Sequence, residues 1–168
     1  MKKGTVVFAL IFFSILISTI TNAQESSKRT WGLSAAVSET QLDILVPVWT
    51  SSNNVFGPGF GVINIGGSGT DLRFGLFDRI YLNTEKDIKP YLGIRGGILL
   101  AIPEEGETET DYIAGISGGG EYFFSENFSV GVEGQLNFTF SDENSDRFGN
   151  PGETNINTGS VIFVTVYF

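Results

Sequence analysis

The sequence predicts an all-β protein whose eight antiparallel strands run up and down and close into a transmembrane β-barrel. Three observations predict it: an N-terminal segment of the export type, strict alternation of apolar and polar residues, and connections that alternate between short and long. Alternation indicates strands because successive side chains of a β-strand point to opposite faces. It is clearest in residues 128–140, whose apolar face consists of Phe128, Val130, Val132, Gly134, Leu136, Phe138 and Phe140.

Residues 1–23 have the layout of a secretory signal peptide. Lys2 and Lys3 come first, an apolar run covers residues 6–20, and small or polar residues continue to Ala23, the expected cleavage site. The run is interrupted by serine and threonine, and it is short for a helix that must cross about 30 Å of hydrocarbon. We therefore expect removal of residues 1–23 and a single mature domain of residues 24–168.

The composition limits the functions that the mature chain can have. Removing residues 1–23 takes away two of the ten Lys and Arg residues and leaves 145 residues with 19 acidic side chains, a net charge of −11. This acidity argues against nucleic acid as a partner. The absence of cysteine excludes disulfide bonds and a lipid-modified cysteine, and the absence of histidine excludes the ordinary Ser-His, Cys-His and His-metal sites. We expect no enzyme activity, no cofactor and no metal.

Eight segments show the alternation, and several approach the roughly nine to eleven residues that a tilted strand needs to cross a bilayer. The predicted strands are residues 30–38, 41–49, 57–66, 71–82, 89–102, 110–124, 128–140 and 158–168. Asp78 interrupts the apolar face of the fourth strand, so we expect either a bulge there or a position near the membrane interface. Aromatic residues near the strand ends are expected to form an interfacial girdle, namely Trp31, Trp49, Tyr81, Tyr91, Tyr122 and Tyr167.

The connections differ between the two ends of the predicted barrel. One end receives the short to moderate segments 51–54, 83–89 and 125–127. The other receives a turn near Glu39, residues 66–69, the acidic run 103–110 and the longest loop, 141–157. Short turns on the periplasmic side and longer loops outside are typical of outer-membrane barrels, so we expect the acidic loops at the cell exterior.

An eight-stranded barrel is narrow enough for inward side chains to fill much of its interior. The inward register carries charges of both signs, at Asp43, Arg73, Arg79, Arg95, Glu121 and Glu133. Side chains of opposite charge in such a lumen can form ion pairs and so neutralise one another. Pairing the sixth and seventh strands across residues 125–127 sets Glu133 opposite Gly119 and Glu121 opposite Gly131, and we expect these glycines to leave room for the carboxylates. We expect Arg95 to form an ion pair with Glu133 or Glu121.

The C-terminal residues carry a resemblance to a known family. Residues 162–168 end on Tyr167 and Phe168 with apolar residues at every second place, similar to the signal that the outer-membrane insertion machinery reads. With residues 118–124 and 128–133, the stretch from Trp31 to Phe168 resembles the small outer-membrane β-barrel proteins of the OmpA, OmpX and OmpW types. The resemblance implies that residues 24–168 form a monomeric outer-membrane β-barrel domain in a Gram-negative-type cell. Its partners would be membrane lipid and, during assembly, that machinery.

The longest loop allows one further interpretation. Asp142, Asn144, Asp146 and Glu153 occupy the first, third, fifth and twelfth places of a calcium-loop pattern. Arg147 stands where that pattern has glycine, and no helices are predicted beside it. We therefore favour a solvated acidic loop over a calcium site.

Three functions remain compatible with the sequence. The first is a structural or surface-interaction barrel whose lumen is plugged by ion pairs, with the two longest outer loops as the recognition surface. The second is a narrow channel or transporter for small or apolar solutes. The third is a soluble secreted β-sandwich or lipocalin-like binder. Its outward faces would have to be polar, and residues 128–140 have an apolar face, so they fit this fold only if that face belongs to the core.

Overall fold

A computed structural model describes residues 30–38, 41–65, 69–82, 87–104, 106–145 and 147–168. The expected signal peptide lies outside these residues. The described residues form the strands β1 (Gly32–Ser38), β2 (Gln41–Leu45), β3 (Val48–Trp49), β4 (Asn54–Ile65), β5 (Gly69–Tyr81), β6 (Ile88–Ile102), β7 (Glu109–Ser125), β8 (Phe128–Phe140) and β9 (Thr154–Tyr167). Among them, no helix is long and apolar enough to cross a membrane.

The strands form one closed antiparallel sheet. From β4 to β9 each strand pairs with the next, β9 pairs with β1, and β1 pairs with β2. β2 and β3 are two pieces of a single barrel strand, because both pair with β4 on either side of a break at Val46 and Pro47. The barrel therefore has eight strand positions, and the predicted fold class is confirmed.

The break between β2 and β3 also explains how proline fits inside β4. The N–H of Val46 donates to the carbonyl oxygen of Pro58 at 2.9 Å. The nitrogen and the carbonyl of one strand residue point to the same side, so the nitrogen of Pro58 faces the break and no sheet hydrogen bond is lost there. Gly57 is required beside it, since a Cβ there would lie 2.0 Å from the carbonyl oxygen of Val46.

Most strand boundaries match the prediction within two residues, and two strands begin three or four residues earlier than expected. β8 covers the predicted residues 128–140. β4 begins three residues early, at Asn54, because the pairing with β5 extends back to Asn54, a residue that was assigned to the connection 51–54. β9 begins four residues early, at Thr154, because its first residues are polar on the lumen side and were taken for loop.

Asp78 causes no bulge, because β5 keeps continuous register with both neighbouring strands. Its carboxylate accepts a hydrogen bond of 2.6 Å from the Asn54 side chain near the end of the strand. This position agrees with the interface alternative. The register irregularity of the barrel lies instead between Phe123 and Ser125.

The distribution of side chains is the reverse of a soluble protein. On β9, Ile162 is 60% exposed on the outer face while the neighbouring Phe163 is fully buried in the interior. The buried residues include many polar ones, such as Glu121, Asp111 and Thr139. A soluble β-sandwich places its apolar side chains between two sheets and its polar ones in water, so this arrangement argues against that interpretation.

Trp31, near the first described residue, and Phe168 meet at one end of the barrel, called here the terminal end; the opposite end is the loop end. The N–H of Phe168 donates to the carbonyl oxygen of Trp31 at 2.8 Å, and their rings stack with centroids 4.7 Å apart. Residues 50–53, 82–87 and 126–127 connect strands at the terminal end, and the acidic loops 103–108 and 141–153 lie at the loop end.

Candidate functional site in the barrel lumen

The charged side chains predicted to face inward make contacts across the lumen. Arg79 on β5 reaches Glu133 on β8, and Arg73 on β5 reaches Asp43 on β2. Neither pair belongs to adjacent strands, so each contact crosses the interior of the barrel. Together with the groups around Glu121 and Arg95, they form a polar column along the barrel axis.

The most buried ion pair joins Arg79 and Glu133. Their side chains are 5% and 7% exposed, the Arg79 Nη2 lies 3.0 Å from the Glu133 carboxylate, and Nε donates at 3.1 Å. The Tyr91 hydroxyl and the Gln135 amide also donate to Glu133, at 2.8 and 2.7 Å. The guanidinium lies 4.2 Å from the centre of the Phe163 ring, which adds a cation–π interaction. This pair therefore has the additional hydrogen bonds that a buried ion pair needs.

The partner expected for Arg95 is corrected by this geometry. The guanidinium of Arg95 donates a hydrogen bond to Gln135, and Glu133 pairs with Arg79 instead. The strand register gives the reason. Glu133 shares its register position with Gly119 and Tyr91, and Arg95 lies four residues further along β6. At about 3.3 Å per residue, this offset moves Arg95 away from Glu133 toward the loop end.

Glu121 lies near the terminal end in a cage of hydroxyl groups. Its carboxylate accepts hydrogen bonds from Tyr81, Ser129 and Tyr167, the last at 3.0 Å. It is fully buried, and no cation pairs with it in the part of the chain that the structure describes. The three hydroxyl donors take the place of the predicted Arg95 partner.

Two related predictions are also corrected here. Four of the six expected girdle residues point into the lumen: Tyr81, Tyr91 and Tyr167 are each at most 3% exposed, and the Trp49 ring stacks on Tyr81. The predicted register of the two glycines is right, with Gly119 opposite Glu133 and Gly131 opposite Glu121. However, aromatic rings fill the space that these glycines leave. A Cβ at Gly131 would lie 2.1 Å from the Phe163 ring, and one at Gly119 would lie 2.7 Å from Tyr91.

The Asp43–Arg73 pair lies nearer the loop end. The charged atoms are 3.3 Å apart, and the Gln41 side chain donates to Asp43 at 2.7 Å. Gly61 makes room for this carboxylate, because a Cβ there would lie 1.9 Å from the Asp43 oxygen. The Nε of Arg73 is buried and has no hydrogen-bond partner among the described residues.

A cluster at the loop end was missed from the sequence. Asp111 is 1% exposed and accepts hydrogen bonds from the Asp142 N–H, the Ser145 hydroxyl and the Arg147 Nε, at 2.8, 3.0 and 3.2 Å. Arg147 also pairs with Asp71 at 2.6 Å. These contacts hold loop 141–153 against the mouth of the barrel and are called the loop latch below. The sequence feature that could have indicated this cluster was Arg147, the only basic residue in the acidic loop 141–153.

The loop latch changes the interpretation of the calcium-like pattern. One carboxylate oxygen of Asp142 accepts the Asn144 N–H at 2.9 Å and so stabilises a turn of the loop. Asp146 lies outside the described residues. Among those described, no group of three or more acidic side chains is placed to hold a metal ion.

The larger of two lumen cavities lies toward the loop end. A cavity of about 290 Å³ lies beside Arg73, Arg95 and Asn137, with Phe148 of loop 141–153 in its wall. A smaller cavity of about 60 Å³ lies among Asp43, Arg95 and Glu133. Toward the terminal end the interior is filled by the contacting rings of Trp49, Tyr81, Tyr91, Phe123, Phe163 and Tyr167.

Two solved structures are similar to this barrel. Neisserial surface protein A superimposes with a TM-score of 0.54 at 17% identity, over 82% of this chain and 93% of that one. The N-terminal β-barrel domain of Pseudomonas aeruginosa OprF gives a TM-score of 0.55 at 12% identity, over 82% of this chain and 95% of that one. At such identities the similarity concerns the fold, and the predicted resemblance to small outer-membrane barrels is confirmed at that level. No family model matches the sequence, and no curated protein matches it either.

Proposed function

We propose that the chain is a monomeric outer-membrane β-barrel with a closed lumen and a structural or surface-interaction role. The observation that carries the proposal is the reversed side-chain distribution, with apolar residues such as Ile162 and Leu92 outside and ion pairs inside. Lipid is the environment in which an apolar outer surface and a closed strand network are both favourable. Residues 1–23 would then be the cleaved export signal, and loops 103–108 and 141–153 would form the outer surface.

The closed lumen is supported by the contacts in its terminal half. Arg79, Glu133 and the surrounding aromatic rings occupy the cross-section there, and the cavity that Arg79 and Glu133 line has a volume of about 60 Å³. An ion or solute would have to break a hydrogen-bonded buried ion pair to pass. We expect the plug to be a non-catalytic feature, because Glu133 is already engaged by one arginine, one tyrosine and one glutamine.

A narrow channel is the second candidate, and the larger cavity favours it. This cavity of about 290 Å³ would become the outer vestibule of a pore if the terminal half could open. The two functions differ in ion conductance: a plugged barrel is silent in a planar bilayer, and a channel conducts.

Localisation is tested by fractionating cells that express the full chain. We expect the mature protein in the outer membrane, starting after Ala23, with heat-modifiable mobility on gels. An epitope after Asn144 should be accessible on intact cells, and one after Glu126 should not. Recovery in the soluble periplasmic fraction, or the opposite labelling pattern, would contradict the proposal.

Assembly is tested by deleting the last residue. The carbonyl of Phe168 accepts the N–H of Thr30 at 3.1 Å, where the first and last strands close the barrel. If Tyr167 and Phe168 form the assembly signal, deleting Phe168 should reduce the heat-modifiable form several-fold while signal cleavage continues. Replacing Phe168 with tyrosine, which keeps a terminal aromatic, should restore assembly. Equal assembly of the deleted and complete chains would contradict this role.

A further inference from the structure

We propose that the larger lumen cavity is a binding site for a small oxyanion such as inorganic phosphate, held by the guanidinium groups of Arg95 and Arg73. The site lies under loop 141–153, in the half of the lumen that the proposed plug leaves open. Binding there does not depend on whether the barrel conducts.

The charge of the cavity wall favours an anion. Arg73 and Arg95 are the charged residues in the cavity wall, and both are cationic. Arg73 has Asp43 as a partner, but no carboxylate in the described part of the chain lies within ion-pair distance of Arg95. Arg95 is half-buried, and the hydration that its guanidinium loses is not offset by a contacting counter-ion. An anion in the cavity would supply that charge.

The two arginines of the cavity wall also have unused hydrogen-bond donors. The Arg95 guanidinium has five N–H donors, and the structure gives it one acceptor, the Gln135 side-chain oxygen. The Nε of Arg73 is buried and has no acceptor among the described residues. Two arginines that line one cavity with free donors match the several acceptor oxygens of an oxyanion.

The size and the lining of the cavity also fit a small oxyanion. A volume of about 290 Å³ holds a small oxyanion with part of its water shell, since each water takes about 30 Å³. The hydroxyl of Thr139 and the amide of Asn157 also face this space and can donate to an anion. The loop latch holds loop 141–153 over the barrel mouth, and Phe148 of that loop lines the cavity, so its size suits a small anion better than a large ligand.

Calorimetric titration with inorganic phosphate tests the proposal. The refolded full-length mature chain is held in a nonionic detergent at fixed chloride concentration, and each sample is equilibrated because the acidic loops should slow the entry of anions. Wild type should bind one phosphate per barrel, and Arg95→Gln should bind at least tenfold more weakly. Lys89→Gln removes the same charge outside the cavity wall, so its binding should stay within twofold of wild type.

Thermal unfolding gives an independent measurement on the same samples. Phosphate should raise the unfolding midpoint of wild type and leave that of Arg95→Gln unchanged. Without phosphate, Arg95→Gln should be at least as stable as wild type, because it removes a half-buried charge that has no carboxylate within ion-pair distance among the described residues.

Three results would overturn the proposal: no saturable phosphate binding by wild type, equal binding by Arg95→Gln, or a failure of Arg95→Gln to refold. Failure to refold would show that other groups of the protein already neutralise the charge of Arg95. Saturation with chloride alone, with no further effect of phosphate, would also contradict an oxyanion site.

Discussion

The two halves of the lumen solve the problem of buried charge in different ways. In the terminal half, Arg79 and Glu133 are hydrogen-bonded, paired and packed against aromatic rings. In the loop half, Arg73 and Arg95 line an open space, and the loop latch holds loop 141–153 against the barrel mouth. On the proposals made above, the terminal half holds the barrel closed, while the loop half retains capacity for a ligand.

The largest effect is expected from breaking the central ion pair. Glu133→Ala leaves Arg79 without its counter-ion, so we expect a loss of about 3–5 kcal/mol in the free energy of unfolding. Urea unfolding of the refolded protein, followed by tryptophan fluorescence, measures it. The double variant Arg79→Ala with Glu133→Ala should recover part of the loss, giving a coupling energy in a double-mutant cycle. Simple addition of the two single losses would show that the residues act independently.

A smaller effect is expected from the loop latch. Asp111→Ala removes the acceptor for Ser145 and Arg147, and we expect about 1–3 kcal/mol of destabilisation together with faster protease cleavage within residues 141–153. Glu143→Ala is the matched control, because this carboxylate lies exposed on the same loop. Equal cleavage of the Asp111 and Glu143 variants would show that the latch does not hold the loop.

A stability effect of similar size to that of Asp111→Ala, followed by a near-zero one, is expected at two glycines of β8. Gly131→Ala places a methyl group against the Phe163 ring in the packed half, so we expect a loss of about 1–3 kcal/mol. Gly134→Ala on the outer face finds its nearest neighbour at 3.8 Å and should change stability by less than about 0.5 kcal/mol. Equal stabilities of the two variants would mean that the ring at Gly131 moves freely and that this half is loosely packed.

The strands and the outer face of the barrel could be predicted from the sequence, but the contacts between side chains in its interior could not. Alternation in residues 128–140 depends on one strand at a time, so β8 and its register against β7 could be predicted. Contacts across the lumen depend on the stagger around the whole barrel, which a linear pattern does not contain. For this reason Arg95 was assigned to the wrong partner, while the inward direction of Glu121 and Glu133 was correct.

The loop latch was beyond sequence reasoning for a related reason. Asp111 and Arg147 are 36 positions apart, and their contact requires loop 141–153 to fold back over the mouth of the barrel. An acidic loop with one arginine is compatible with a solvated surface, so composition alone favoured that interpretation. Tyr81, Tyr91 and Tyr167 were similarly ambiguous, because a tyrosine near a strand end suits either the membrane interface or the lumen.

Single-channel recording in planar bilayers tests the central claim most directly, namely that the terminal half closes the lumen. Wild type should show no conductance steps, and Arg147→Ala should also be silent, because it releases the loop without disturbing the central ion pair. Alanine at Arg79, Tyr91 and Glu133 together should produce steps in protein whose folding is first checked by gel mobility. Steady conductance by wild type, or opening by Arg147→Ala alone, would contradict closure by the terminal half.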